Sequence, residues 1–237
     1  MKKVAFAVLG LSTLVTGAHA GVAYSSLLTT NITSFFANGG STSLTSNSRL
    51  LLDDINVHPV DAGKTIKSIT FGMVQNDAAA FKFRVRMRFY QDSAGVPGAY
   101  ISGFSYNFGN VPQGIYNQTF NILADIPGSP VTLPASGKMW VGVTFDGNST
   151  AAGTTPTVAQ LNNLGIYSSP ITTKGSSNAD IRRTDSPGSF VGVPPTPNSI
   201  ISTDNSKLGM SIEVVPEPAT MAALGLGIAA LARRKRK

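Results

Sequence analysis

Lys82, Arg84, Arg86 and Arg88 stand at alternate positions of one short run, and Phe81, Phe83, Val85, Met87 and Phe89 fill the places between them. In an extended chain the four cations share one face at intervals of roughly 6.5–7 Å. Such a ladder could bind an acidic polysaccharide, with affinity that falls as salt rises. A solvated outer face, its repulsion relieved by acids on neighbouring strands, would use the same pattern. Catalysis has less to draw on. His58 is the one histidine beyond residue 20, so a histidine-based metal cluster is excluded and a Ser-His-Asp triad would have to use it. It precedes Pro59 at the end of an apolar run, a place that suits capping. No serine sits in a Gly-x-Ser-x-Gly elbow, and no Gly-rich loop with Lys and Ser or Thr could cradle phosphate. Glycoside hydrolysis needs two carboxyls flanking a sugar bond. Glu213 is the only glutamate between residues 21 and 215, and the adjacent Asp53 and Asp54 would point to opposite faces of a strand. A secreted hydrolase would need some other aspartate pair to converge. Asp92, Asp125, Asp146 and Asp185 fall in expected loops, where oxygen ligands for calcium could gather, but no Asp-x-Asp-x-Asp order joins them. Their bland reading is turn formation. We expect no catalytic residue, no metal and no cofactor. Tyr100, Tyr106, Tyr116 and Trp140 are open to two readings, sugar-stacking platforms or core.

The elements that would position these groups are strands. Phe81–Tyr90 alternates too strictly for a helix, whose 3.6-residue period would scatter the cations around the cylinder. The turn residues Asp92 to Gly98 follow, and Tyr100–Phe108 returns, so the pair reads as a hairpin with a loop of several residues. Further strands are expected over Val22–Thr30, up to Val57, over Ile66–Met73, Ile115–Ile122, Met139–Phe145, Leu161–Ser168 and Leu208–Val215, with brief ones at Ile181 and Phe190-Val191. Pro127, Pro130 and Pro134 mark a connection rather than a central strand. Many short strands, frequent turns and no amphipathic helix predict an all-β fold, an antiparallel β-sandwich of jelly-roll-like form, with a β-barrel as the alternative.

The two ends read differently. Lys2 and Lys3 precede an apolar run from Val4 to Val15, and Ala18-His19-Ala20 offers small residues to a signal peptidase. A dozen apolar residues cannot cross a bilayer core about 30 Å thick as a helix. Residues 1–20 are therefore expected to be a signal peptide and residues 21–215 a single exported domain. At the other end Pro216-Glu217-Pro218 precedes an uncharged stretch from Ala219 to Ala232, then Arg233, Arg234, Lys235, Arg236 and Lys237. The prolines favour an extended segment that an enzyme could grip, and the basic cluster would stay on the cytoplasmic side. In order, spacing and position this tail, residues 216–237, resembles the PEP-CTERM sorting signal of Gram-negative bacteria. The resemblance covers about a tenth of the chain. It implies an exosortase that cuts near the Pro-Glu-Pro motif, a transient inner-membrane anchor, and association with exopolysaccharide and biofilm matrix at the cell surface or beyond it.

Charge bears this division out as a reading. The chain carries +7, but two of its 19 Lys and Arg lie ahead of Gly21 and five close the tail. Set against the 11 acids between residues 21 and 215, the remaining 12 cations leave that region near +1. Basicity belongs to the ends, and the general case for a nucleic-acid partner fails. With no cysteine in the chain, disulfide staples and thiolate chemistry are excluded and a hydrophobic core must hold the fold. The sequence thus predicts an exported, non-enzymatic surface or matrix protein. A carbohydrate-binding module with a defined glycan site and a secreted Asp-dependent glycan hydrolase are the alternatives.

Overall fold

A computed structural model of the chain describes residues 21–27, 34–37, 39, 43–44, 49–125, 130–177, 181–184, 199–202 and 206–215. The expected signal peptide, Pro216-Glu217-Pro218, the basic cluster 233–237, Asp185 and Phe190-Val191 lie outside these residues. The strands are β1 (Gly21–Ser25), β2 (Phe35–Ala37), β3 (Leu50–Asn56), β4 (Ile66–Gln75), β5 (Phe81–Ser93), β6 (Val96–Val111) and β7 (Gly114–Asn121). They continue with β8 (Lys138–Asp146), β9 (Leu164–Ser169), β10 (Ile181–Thr184), β11 (Ser199–Ser202), β12 (Lys207–Leu208) and β13 (Met210–Val214). They form two antiparallel sheets, as the period-two patterns require.

Eight strands make the two principal layers, in the orders β1-β13-β4-β7 and β3-β8-β5-β6. The chain passes back and forth between the layers, which is the jelly-roll way of pairing two Greek keys. Strands β9, β12 and β2 extend the first sheet, while β10 and β11 extend the second. The alternation that marks β5 buries Phe81, Phe83, Val85, Met87 and Phe89 completely. Between the sheets Phe120 of β7 meets Phe104 and Phe108 of β6, with ring centroids 5.3 and 6.3 Å apart. Phe108 in turn stacks on Phe83 at 5.0 Å. This aromatic seam and its aliphatic neighbours are the core that replaces disulfides.

Three local expectations change. The β5–β6 loop shrinks to a two-residue turn, because Ala94 and Gly95 both take positive φ (54° and 81°) and Ser93 pairs with Val96. Positive φ at both central positions matches the twist of a hairpin, so the strands run on to the turn. The strand expected over Leu161–Ser168 begins as a helical turn, Val158–Asn162, capped by reciprocal bonds between Thr157 and Gln160. The strand expected over Leu208–Val215 is split at Gly209, so β12 pairs with β9 and β13 with β4 and β1.

The register also sets where the chain enters and leaves the domain. Gly21 lies opposite Val214, and Val214 lies beside Ile66 at the start of β4. The Val215 amide donates to the Thr65 carbonyl at 3.0 Å, one residue ahead of Pro216. Entry and exit therefore share one end of the sandwich. The β4–β5 and β6–β7 turns occupy the other end.

Candidate functional site

The basic stripe sits on the outer face of the second sheet, where β5 lies between β6 and β8. Register places Arg84 opposite Asp146, Arg86 opposite Thr144 and Arg88 opposite Gly142. Arg84 reaches across with Nε 3.1 and 3.2 Å from the two oxygens of Asp146, and its Nη2 is 3.2 Å from Oδ2. Arg86 leans diagonally to donate Nε to the same Oδ2 at 2.7 Å. The Asp146 side chain is fully buried, while those of Arg84 and Arg86 keep 22% and 20% of their exposure. Two guanidinium groups on one carboxylate leave the group net positive and fix its geometry, because the planar forks cannot rotate without breaking charge-assisted bonds.

Arg88 takes a different course. It is 7% exposed, and its Nη1 donates to the carbonyls of Met87 (2.8 Å) and Phe104 (3.1 Å). Burial is the main reason its pKa lies below the ordinary arginine value, and the neighbouring Arg86 and Arg84 act in the same direction. Its side chain satisfies backbone rather than facing solvent. Lys82 opens the stripe, half-buried, at the start of β5. The structure thus brings Arg84 and Arg86 together on Asp146, sets Lys82 beyond them, and folds Arg88 in.

Of the acids expected in loops, Asp92 and Asp146 are strand residues and Asp125 ends a short helical turn, Ile122–Asp125. Asp146 ends β8, and Asp92 lies in β5, where its Oδ1 accepts the Trp140 indole N–H at 2.9 Å. Trp140, 1% exposed, packs with Leu50, Leu52 and Tyr90, and Tyr100 leans on Tyr90 at 5.8 Å. Trp140 is therefore packing, not a platform. Tyr106 is 43% exposed but rests its ring on Phe108 and Phe120, both about 5 Å away. The Tyr116 hydroxyl donates to the Pro112 carbonyl at 2.8 Å. His58 caps a short 3-10 turn, Pro59–Asp61, with Nδ1 accepting the Val60 amide at 3.4 Å.

Asp53 and Asp54 hold a feature that spacing alone did not reveal. Ser177, beside the edge of β3, sets its hydroxyl 2.8 Å from Asp53 Oδ1 and 3.3 Å from Asp54 Oδ1. Asp53 is completely buried, and its Oδ2 accepts the Leu208 amide at 2.8 Å, tying β3 of one sheet to β12 of the other. Burial lifts its carboxyl to about 8, with a smaller push from Asp54; the bonds from Leu208 and Ser177 and the charge of Lys207 pull the other way. A pattern of Leu50-Leu51-Leu52 running into two aspartates was the available signal that one acid would be carried inward. Among the described residues no three His, Cys, Asp or Glu side chains gather where they could hold a metal ion.

Fold and faces together define a jelly-roll sandwich that displays a clamped basic face and leads straight from a central strand into its C-terminal tail. Residues 214–237 match the PEP-CTERM protein-sorting motif. The chain carries the sorting signal that directs exported proteins to membrane-linked processing by exosortase. No curated protein and no solved structure gives a significant match to the chain.

Proposed function

We propose that the chain is an exported, non-enzymatic surface or matrix protein that exosortase cuts near Pro216-Glu217-Pro218, and that its folded domain associates with acidic exopolysaccharide of a biofilm matrix. The observation that carries this reading is the sorting motif at residues 214–237, joined to β13 without a spacer. Before processing, the tail holds the protein at the inner membrane through residues 219–232 and the basic stop at Arg233–Lys237. Afterwards the sandwich is displayed at the surface or passes into the matrix. The Lys82, Arg84 and Arg86 face supports the polysaccharide partner, since it holds a net positive charge in fixed positions at the surface.

A role without catalysis draws support from how the carboxylates are used. Asp146 neutralises two arginines, Asp61 pairs with Lys64, Asp92 holds Trp140, Asp53 joins the sheets and Glu213 bonds Ser68 and Lys67. Each is committed to structure. The test is intact mass and location in the native host, for the wild type and a variant with Pro216, Glu217 and Pro218 changed to alanine. Wild type shortened at both ends and found at the surface or in the matrix, with the variant retained in the membrane, is the expected result. A wild-type chain that keeps Lys237 wherever it is found overturns the proposal.

A further inference from the structure

A cleft of about 320 Å³ opens on the first sheet, bordered by Ser34, Phe35, Val74, Asn76, Gln113 and Ile115. This volume falls within the range of small-molecule sites, about 300–1,000 Å³. Its floor is a row that crosses the strands. Val74 of β4 lies beside Ile115 of β7 on one side and Gly165 of β9 on the other, and Gly165 lies beside Ala37 of β2. A side chain at Gly165 would begin 2.3 Å from the Phe36 carbonyl oxygen and 2.6 Å from Cδ2 of Phe35, so the backbone of β2 and the Phe35 ring together fill the space that glycine leaves next to Val74. Ile115 is 49% exposed, a large apolar side chain left uncovered on an outer sheet face. Around this apolar floor stand the exposed amides of Asn76 and Gln113, groups that both donate and accept hydrogen bonds, and the Ser34 hydroxyl, which already shares a hydrogen bond with that of Ser168.

The walls are built in advance. Beneath the cleft Gln75 is 1% exposed, and its Nε2 donates to the carbonyls of Ala79 (2.8 Å) and Val111 (3.2 Å) while its Oε1 accepts the Asp77 amide. One amide thereby holds the β4–β5 and β6–β7 turns together. Binding then costs little ordering of the protein. Among the described residues no charged side chain lines the cleft, so an ionic ligand would lose water there without gaining a partner. Both edges of β4 here are already paired, to β7 and β9, which leaves no edge on that strand for an added peptide.

A ligand suited to these walls is uncharged, has a flat C–H face for Phe35, Val74 and Ile115, and carries hydroxyls at its perimeter for the amides. We propose that the cleft binds a neutral saccharide. The site goes beyond the acidic-polysaccharide reading and uses none of its residues. It also lies at the end of the sandwich remote from the exit of the chain at Val215: Val74 is eight residues along β4 from Ile66, about 26 Å.

The test is calorimetric titration of the full chain, in detergent, with four neutral probes: cello-, malto-, xylo- and mannohexaose, each at low and high sodium chloride. At least one should bind with a dissociation constant of about 0.1–1 mM, without dependence on salt. Phe35→Ala and Ile115→Ser should each weaken that binding about tenfold, and Lys82→Ala should leave it unchanged. Thermal melts of the variants verify that they fold. If none of the four binds, the proposal is wrong. Binding that persists in both variants, or that fades with salt, also overturns it, as does preferential binding of an uncharged apolar hexapeptide at these residues. Failure of acidic polysaccharide to bind, with hexaose binding intact, would remove only the reading in the preceding subsection.

Discussion

Asp53 keeps a carboxyl inside the sandwich, and burial lifts its pKa from the ordinary 3.8 to about 8. Between those values the folded chain holds a proton that the unfolded chain has released. The folded state binds more protons there, so this group's contribution to stability is full below about pH 4 and is lost as pH rises toward and through 8. Asp53→Asn keeps an oxygen for the Leu208 amide and offers Ser177 a donor. We expect the variant to flatten the fall in stability between pH 4 and 8 and to melt higher than the parent at pH 8, as thermal unfolding at several pH values would show. Identical slopes in parent and variant would refute the assignment. Asp146 makes a different case, a buried carboxylate held between two guanidinium groups. Asp146→Ala removes the carboxylate that Arg84 and Arg86 share and should cost about 2–4 kcal/mol, below the full cost of breaking a buried pair because both arginines are partly solvated. Denaturant unfolding measures this. A cost under about 1 kcal/mol would show that the clamp adds little.

At the scale of elements, the hairpin of β5 and β6 depends on Ala94 in a conformation that side chains dislike, with φ of 54°. Glycine removes the Cβ that causes the strain. Ala94→Gly should therefore stabilise the domain by up to about 1 kcal/mol, less the entropy glycine adds to the unfolded chain. A melting temperature lowered by this change would mean that Ala94 is not strained. The same hairpin shows how far local pattern can be read. The alternation from Phe81 to Phe89 named the strand and its buried face, because a period of two is a local property. The turn length was not legible, since Asp92–Gly98 is rich in turn formers and pairing across the strands decided where the chain bends. Conversely, Thr157 and Gln160 have the spacing of a capping box, a helix-start signal carried by the sequence itself. Apolar residues from Leu161 onward drew that turn into the strand that follows it.

For the whole molecule, the two ends of the domain have separate duties. One joins the entry of the chain at Gly21 to its exit beside Thr65, directly ahead of the sorting motif. The side of the second sheet carries the Lys82, Arg84 and Arg86 face, and the polyanion binding proposed for it would be screened over about 10 Å at 0.1 M salt. Retention of the protein on immobilised alginate should fall steeply between 50 and 500 mM sodium chloride, and Lys82→Ala with Arg86→Gln should elute earlier than the parent. Salt-independent retention, or none at low salt, would rule out this face as the contact. Arg88→Gln is expected to change stability more than retention, since its guanidinium serves backbone carbonyls.

Linear order alone carries the sorting signal, the all-β class and the alternating faces of Phe81 to Phe89. Those features rest on linear order and on a two-residue period, and neither needs a partner strand to exist. Tertiary structure alone decided that Arg84 and Arg86 would share Asp146, sixty residues away, that Arg88 would turn inward and that Asp53 would tie the sheets together. It also decided that a glycine in β9 would seat a phenylalanine from β2 beside Val74 and Ile115. Such contacts depend on register between distant strands, and register is set by the packing of the whole core rather than by any one segment.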